Sequence, residues 1–459
     1  LNSASNASTL ISLGRLAETL EAPLEHLPIN TQDKSVFSIT TDTRDLRQGA
    51  LFVALAGDRF DGHDFLDAAM AQGAVAVVVR ADRVRADLPC LAVPDTLAAY
   101  QRLGQWWRSQ QRAQIVAVTG SVGKTTTKEL IAAALGTQGS VLKTQANYNN
   151  DIGVPKTLLQ LQPHHDFGVI EMGMRGPGEI AVLARMAQPD VAVITNVGTA
   201  HIGRLGSEQA IANAKCELLA ELPPPGIAVL NHDNARLMAT AAAVWSGRTL
   251  TFGLEGGDVR GILCDGDIVE VDGVALPLPL PGRHNALNLL AAVAVMQTLD
   301  LDWRGLQQGI MVDLPQGRAR KIDLGNDRML LDETYNAGFE SMTAALHLLA
   351  ETPGQRHFAV LGTMKELGDQ SVALHRQVGE TVCHLKLDGL LILADPAEAQ
   401  ALAAGAEGIP TQAFTDHATL TTHLQALLQP GDRVLLKASR SVALDRVVSA
   451  LTAAIPTAP

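Results

Sequence analysis

The chain has 459 residues, a formal net charge of −12, and 47% hydrophobic and 18% charged residues, the make-up of an ordinary folded protein too long for one core. That acidic balance argues against a nucleic-acid or anionic-membrane partner and makes local gatherings of cations informative. Cys90, Cys216, Cys264 and Cys383 are scattered without a C-x-x-C pair, so neither a disulfide framework nor a zinc site is suggested and a reducing cytosol fits.

We read no leader and no apolar run approaching the ~18 residues of a membrane span. The expectation is a cytoplasmic monomer without stable membrane insertion. Residues 1–97 read as a small α/β unit: helix over 10–20, strands over 37–41 and 50–56, helix over 63–72, buried strand over 74–79. Its turns collect polar residues, T-D-T-R at 41–44 and G-D-R-F-D-G-H at 57–63. Each alone reads as a solvated loop, and together they look like the edge of a small-ligand site.

The second unit, 98–317, opens with a helix over 98–107 and then alternates strands (115–118, 167–170, 191–194, 228–230) with helices, as in a doubly wound parallel sheet. Ligands then belong at the C-terminal strand ends, where Glu171, Asn196 and His201 fall. Residues 259–280, with G-D and D-G turns, look like a β-hairpin insertion. The third unit, 318–459, alternates strands (329–331, 358–361, 389–393, 434–436) with helices (342–349, 371–382, 442–450), which predicts a second parallel sheet. The fold class is α/β, in three domains.

The most informative stretch is I-V-A-V-T-G-S-V-G-K-T-T-T-K-E-L at 115–130, a buried-type strand, a phosphate loop and the start of a helix. Thr119, Gly120, Ser121, Val122, Gly123, Lys124, Thr125 and Thr126 form the loop. Gly120 and Gly123 let backbone N–H groups converge on phosphate oxygens, with the helix N-terminus behind them. Lys124 reaches the β and γ phosphates, and Thr125 offers a hydroxyl to magnesium. Val118 stands where the full G-x-x-x-x-G-K-[ST] pattern has glycine, so the match is to the shorter T-G-x-x-G-K-T.

Glu171 ends the strand F-G-V-I-E, where a carboxylate can hold magnesium between phosphates. His201, in T-N-V-G-T-A-H-I-G, is placed as a ligand, although a lone histidine is more often structural. Lys215 reads by composition as a solvated helix residue. Asn285 and Asn288, one helical turn apart in G-R-H-N-A-L-N, could offer amides to a base or cap the helix that starts there.

With these motifs in order, the chain resembles the Mur ligase family over nearly its whole length. T-D-T-R-D-L-R-Q-G-A-L-F-V-A-L-A-G-D-R-F-D-G-H-D-F is similar to that family's uridine-nucleotide domain. T-G-S-V-G-K-T-T, N-Y-N-N-D-I-G-V-P, the strand into Glu171, A-H-I-G-R-L-G-S and G-R-H-N-A-L-N follow in family order. D-E-T-Y-N-A-G-F-E-S-M, V-L-G-T-M-K-E-L-G with His375 downstream, and G-D-R-V-L-L-K-A-S-R-S are similar to the members that add a dipeptide.

The resemblance implies three domains: a uridine-nucleotide domain, a central ATPase domain and a C-terminal Rossmann-like domain. It implies an ATP-dependent amide ligase joining D-alanyl-D-alanine to UDP-N-acetylmuramoyl-tripeptide through an acyl phosphate, in peptidoglycan synthesis. By the same resemblance Thr43, Arg44, Asp61 and His63 contact the uridine nucleotide, with Asn149 and Asn150 also on the substrate. Glu171 and His201 each serve one of two magnesium ions. Lys215 matches a lysine that is carbamoylated and presents a carboxylate to the second. Asn285 and Asn288 sit near adenine; Arg318, Asp332, Tyr335 and Asn336 close over the nucleotide; Lys437, Ser439 and Arg440 face the cleft.

The chain departs from the family's common pattern at Glu333, Gly338, Phe339, Thr363 and Ala438, all in the third unit. Two other readings are a sister ligase that adds a single amino acid, whose usual D-N-P-R is absent here, and a module that hydrolyses ATP without joining anything.

Overall fold

The computed structural model describes residues 11–24, 27–28, 31–57, 60–264 and 267–453. Leu10 of the first predicted helix, Asp58 and Arg59 of the second polar turn, and the segment in which no leader was read lie outside the described residues.

Four parallel strands, Ser38–Thr40, Ala50–Val53, Ala76–Arg80 and Cys90–Val93, lie side by side in chain order. Ala50–Val53 and Cys90–Val93 are buried along their whole length, as continuous apolar runs of parallel sheets must be. The first helix is Leu13–Leu20, because Ser12 caps it by accepting the Arg15 N–H and Ile11–Ser12 pair instead with Ser35–Val36. The helix predicted over 63–72 is Leu66–Ala71, preceded by a tighter turn at Gly62–Phe65 that Asp61 starts by accepting the His63 N–H. Helix Thr96–Ser109 joins the first two units: Ala99, Tyr100 and Leu103 enter the first core and Trp107 the second.

The second sheet has nine strands. At its centre β1 (Gln114–Thr119) lies parallel between β2 (Phe167–Glu171) and β3 (Val191–Ile194). Beyond β3 come Ile227–Asn231 and Thr249–Gly253; beyond β2 comes Val141–Lys143. The β-hairpin predicted over 259–280 is present, and it extends the sheet. Val259–Cys264 continues the sheet, and Ile268–Val271 and Val274–Pro277 fold back antiparallel onto it, since their turns are too short for a crossover. One face carries helix α1 (Lys124–Leu135), and helix α2 (Glu208–Ala220) supplies Ile211, Leu218 and Leu219 to the other core cluster. Helix α3 (Arg283–Thr298) packs on α1 and is buried almost all round, as an apolar sequence without a polar stripe requires.

The third sheet runs Arg320–Asp323, β4 (Met329–Asp332), β5 (Asp432–Lys437), Arg356–Gly362, Gly389–Leu393, Thr411–Ala413. The four predicted strands lie parallel in it, as expected, and Arg320–Asp323, which was not predicted, joins its edge antiparallel. Arg320–Asp323 and β4 are joined by a tight turn closed by the Leu324 N–H on the Arg328 carbonyl, and so short a connection permits only antiparallel pairing. Helix α4 (Phe339–Glu351) follows β4. Among the described residues no helix is long and apolar enough to cross a membrane.

Candidate functional site

The phosphate loop spans the gap between β1 and α1. Gly123 has φ +83°, a region that L side chains rarely occupy, and a Cβ there would stand 2.8 Å from Asn288 Oδ1. A Cβ on Gly120 would stand 1.9 Å from Thr195 Oγ1. The residues after β3 brace the loop from behind. Asn196 Oδ1 accepts the Val122 N–H at 2.9 Å and its Nδ2 donates to the Val122 carbonyl at 2.9 Å, while Thr195 Oγ1 donates there at 2.7 Å. Ser121 Oγ accepts the Gly198 N–H at 2.9 Å, and Thr119 Oγ1 donates to the Met172 carbonyl at 2.9 Å. Asn196, placed by sequence at a strand end without a role, is thus the loop's brace. Thr125 and Thr126 are buried in the first turn of α1.

Lys124 Nζ folds back over the loop onto the carbonyls of Gly120 (2.7 Å) and Ser121 (3.3 Å). Burial pushes its ammonium below the usual lysine value, with the Glu171 carboxylate opposing and the Arg318 guanidinium reinforcing that shift. Groups from the loop, from the end of β2 and from the third unit therefore share one electrostatic neighbourhood.

Glu171 is 2% exposed. Its Oε1 accepts from Asn149 Nδ2 at 2.7 Å and its N–H goes to Thr144 Oγ1 at 2.9 Å, but Oε2 is buried without a partner. Lys215, in α2, is 1% exposed, and burial together with the Lys124 charge drives its amine well below the ordinary lysine range. The solvated helix position read from composition is thus overturned.

Among the described residues no three His, Cys, Asp or Glu side chains gather closely enough to hold a metal. A free carboxylate oxygen beside a phosphate loop nevertheless fits magnesium, which takes one or two protein carboxylates and completes its shell with phosphate and water. His201 lies with its Nδ1 2.6 Å from Glu366 Oε2 of the third unit, without hydrogen-bond alignment.

The helix-cap reading of Asn285 and Asn288 is overturned: α3 begins at Arg283 with Gly282 as its cap. Asn285 Nδ2 bonds the Pro281 carbonyl at 2.8 Å, and Asn288 Oδ1 accepts from Thr127 Oγ1 at 2.9 Å, knitting α3 to α1.

The third unit presents a cationic face. The Arg318 guanidinium stacks 4.0 Å over the Tyr335 ring and Arg440 approaches the same ring at 5.2 Å; Arg318 Nε is buried and unpartnered. Lys437, at the end of β5, donates to the Asn336 carbonyl at 3.0 Å and lies 3.4 Å from Glu333 Oε2. Burial lowers its ammonium's pKa, and it lowers that of the neighbouring His284 imidazole too. Asp332 Oδ1 accepts the Thr334 N–H and O–H, and Ser439 Oγ accepts the Lys365 N–H at 2.9 Å.

Two acidic residues that sequence reasoning missed seat this face on the second unit. Glu340, at the start of α4, accepts the Thr199 N–H at 2.6 Å, and the Glu366 carbonyl accepts the Gly203 N–H at 3.0 Å. No local pattern marks Glu340, whose partner is 141 positions away.

The first unit's candidates, and Asn150 of the second, are engaged by neighbouring protein groups. Arg44 pairs with Asp42 at 2.6 Å beside Thr43, which begins a tight turn. His63 Nδ1 donates to Asp61 at 2.6 Å while its Nε2 accepts the Arg80 N–H at 3.1 Å. Asn150 Oδ1 accepts the Gly153 N–H at the start of helix Gly153–Leu158.

Sequence models of this architecture match in three consecutive blocks: the Mur ligase family catalytic domain over residues 35–103, the Mur ligase middle domain over 118–296, and the Mur ligase glutamate ligase domain over 317–440. The chain belongs to the Mur ligase family. It is 55% identical over 449 residues to the UDP-N-acetylmuramoyl-tripeptide–D-alanyl-D-alanine ligase of a Synechocystis strain, covering 97% of this chain and 99% of that one. To the enzyme of the same name from Escherichia coli it is 38% identical, covering 96% and 98%. A crystal structure of MurF from Acinetobacter baumannii superposes with TM-score 0.88 at 30% identity, covering 97% and 99%. That of the Thermotoga maritima MurF ligase with ADP gives 0.80 at 31%, covering 91% and 97%.

The departures of this Mur ligase from the common family pattern are absorbed locally. Thr363 Oγ1 accepts the Asp395 N–H at 2.8 Å, and Glu333 Oε1 accepts the Ala319 N–H at 3.0 Å. Gly338 caps α4, its N–H held by Ser341 Oγ at 3.0 Å. Ala438 is fully buried against Gly362, where a Cβ would meet the alanine methyl at 2.7 Å.

Proposed function

We propose that the chain is the cytoplasmic, monomeric, ATP-dependent ligase that joins D-alanyl-D-alanine to UDP-N-acetylmuramoyl-tripeptide, giving the UDP-linked pentapeptide precursor of peptidoglycan. The observation that carries this reading is a phosphate loop whose Lys124 folds onto the carbonyls of Gly120 and Ser121 and feels the charges of Glu171, with its unpartnered Oε2, and of Arg318, in a chain 55% identical to a relative of that name.

The tripeptide's terminal carboxylate is a poor acyl donor. Attack of its oxygen on the γ-phosphorus of ATP makes an acyl phosphate and releases ADP. The dipeptide's amine, after losing a proton, attacks the acyl carbon, and the tetrahedral intermediate collapses with expulsion of phosphate. Positioning and charge neutralisation do most of this work. The loop from Thr119 to Thr126 cradles the phosphates, and Lys124 turns from the carbonyls of Gly120 and Ser121 to their oxygens. Asn285 and Asn288 lie toward adenine.

Arg318, Asp332, Tyr335 and Asn336 close over the nucleotide, and Lys437, Ser439 and Arg440 face the dipeptide. Thr43, Arg44, Asp61 and His63 hold the uridine nucleotide, with Asn149 and Asn150 toward the acceptor. Two magnesium ions, when bound, offset the charge that keeps a carboxylate from a phosphate. Thr125 and Glu171 would hold one; His201 and Lys215 would serve the other. The Lys215 amine, whose hold on its proton burial weakens, is suited to add carbon dioxide and lose a proton, which would give α2 the carbamate carboxylate that the second ion needs.

The deciding experiment measures phosphate release with ATP, magnesium and UDP-N-acetylmuramoyl-tripeptide, offering D-alanyl-D-alanine, single amino acids or no amine. Release only with the dipeptide, together with the pentapeptide mass, is expected. Release with a single amino acid would make the chain a sister ligase. Release without amine would leave an ATPase.

A further inference from the structure

Lys128 is a buried charge that the proposed chemistry does not use. It lies one helical turn beyond Lys124 on α1, is 1% exposed, and reaches the residue that follows strand Val141–Lys143. A buried ammonium costs several kcal/mol unless well paired, and an apolar side chain of similar volume often fills such a place at no loss. What Lys128 does instead is specific in geometry. Its Nζ donates to the Thr144 carbonyl at 2.7 Å and lies 2.7 Å from Glu129 Oε1, and Glu129 in turn pairs with Lys143 on the adjacent strand. Thr144, fully buried, continues that strand through its N–H on the Val169 carbonyl at 3.0 Å. Its Oγ1 accepts the Glu171 N–H at 2.9 Å.

A continuous set of bonds therefore runs from α1, whose first turn carries Thr125, through Lys128 and Thr144 to the backbone of Glu171. We propose that Lys128 and Thr144 are positioning residues that set the separation between Thr125 and Glu171, the two groups expected to flank the nucleotide's magnesium. The inference rests on the metal role given to Glu171 above. Without the relay, α1 and the end of β2 are linked only indirectly, through the Glu129–Lys143 pair and through the ladder of β1 on β2, with non-directional apolar packing between them. Groups that orient a metal ligand from behind typically change metal affinity about 10–100-fold when removed.

The test is calorimetric affinity of the whole chain for ADP, with and without magnesium, in the parent, Thr144→Val, Thr144→Ser, Lys128→Met and Glu171→Gln. The parent is expected to bind ADP more tightly with magnesium. Thr144→Val and Lys128→Met should keep the metal-free affinity yet lose about tenfold of the magnesium-dependent gain, and Thr144→Ser should restore it. A full gain in Thr144→Val and Lys128→Met, alongside its loss in Glu171→Gln, would overturn the positioning role and leave the Glu171 reading standing. Equal weakening with and without magnesium would make the relay merely structural and also overturn it. No magnesium-dependent gain in the parent, or its survival in Glu171→Gln, would instead remove the metal reading beneath the proposal. If Lys128→Met does not fold, the Thr144→Val and Thr144→Ser pair decides alone.

Discussion

The polar edge of the first unit and the central cleft are built on opposite plans. At the edge, Asp42 holds Arg44, and His63 has both ring nitrogens engaged, by Asp61 and by the Arg80 N–H. In the cleft, Glu171 Oε2 and Arg318 Nε are buried with no hydrogen-bond partner. An unsatisfied buried polar atom costs about 1–3 kcal/mol, and native folds keep few of them. The edge is thus a finished surface made by short turns, whereas the cleft is left incomplete where a ligand would complete it. The difference separates residues whose removal costs stability from those whose removal costs turnover.

The largest expected effect falls on the cleft. Lys124→Ala should lower kcat by roughly two to three orders of magnitude, the ~2.7–4 kcal/mol of one transition-state donor, without loss of thermal stability, since it deletes a desolvated cation. Steady-state kinetics beside a thermal melt checks both halves. Near-normal turnover would erase the contrast between the two regions.

Next comes the edge. His63→Leu leaves the part-buried Arg80 N–H without its acceptor and takes the imidazole from Asp61, which keeps the backbone N–H of residue 63 and Arg83, so the unfolding free energy should fall by about 1–3 kcal/mol, read as a lower denaturant midpoint. An unchanged midpoint would show that the edge is not self-supporting.

The two plans also decide what the sequence made legible. The phosphate loop was readable because strand, glycines, lysine and helix are contiguous, and β3 was readable to the residue because V-A-V-I is an uninterrupted buried run. The half-buried Val141–Lys143 and the fully exposed Thr411–Ala413 escaped, having only three residues each, too few to show a periodicity. Lys215 reads as a surface lysine from composition, and only its enclosure by α2 and the sheet makes it unusual. Glu340 and Glu366 were invisible for a different reason: their partners, Thr199 and His201, belong to another unit, and nothing in local spacing encodes a contact between separately folded sheets.

A third histidine extends the contrast into the last unit. His375 is fully buried, accepts the Met364 N–H on Nε2 at 2.8 Å and donates from Nδ1 to the Ser371 carbonyl at 2.7 Å. Burial holds its pKa below the ordinary 6.5, with Ser371 and the carboxylates of Glu398 and Asp395 only partly opposing. Below that ordinary value the unfolded chain takes up a proton that the folded chain refuses. The contribution is therefore fully present above pH 6.5 and is lost as pH falls toward the depressed folded value, at up to about 1.4 kcal/mol per pH unit. His375→Gln should flatten the fall in stability between about pH 7.5 and about pH 5.5. An identical fall in parent and variant would show that the imidazole is not held neutral.

The smallest effect belongs to Arg44, whose side chain is 87% exposed while it pairs with Asp42. Such a pair is screened by salt and adds little to stability, so Arg44→Ala should leave the denaturant midpoint unchanged. What it should alter is the KM for the uridine nucleotide and the dependence of that KM on ionic strength, because an exposed cation attracts a diphosphate through solvent. A KM that rises in low salt and converges on the parent's in high salt would show the edge recruiting its ligand by charge. A KM unaffected at every ionic strength would mean that the Arg44–Asp42 pair only closes its own turn, and Arg44 would then be scaffold rather than a ligand contact.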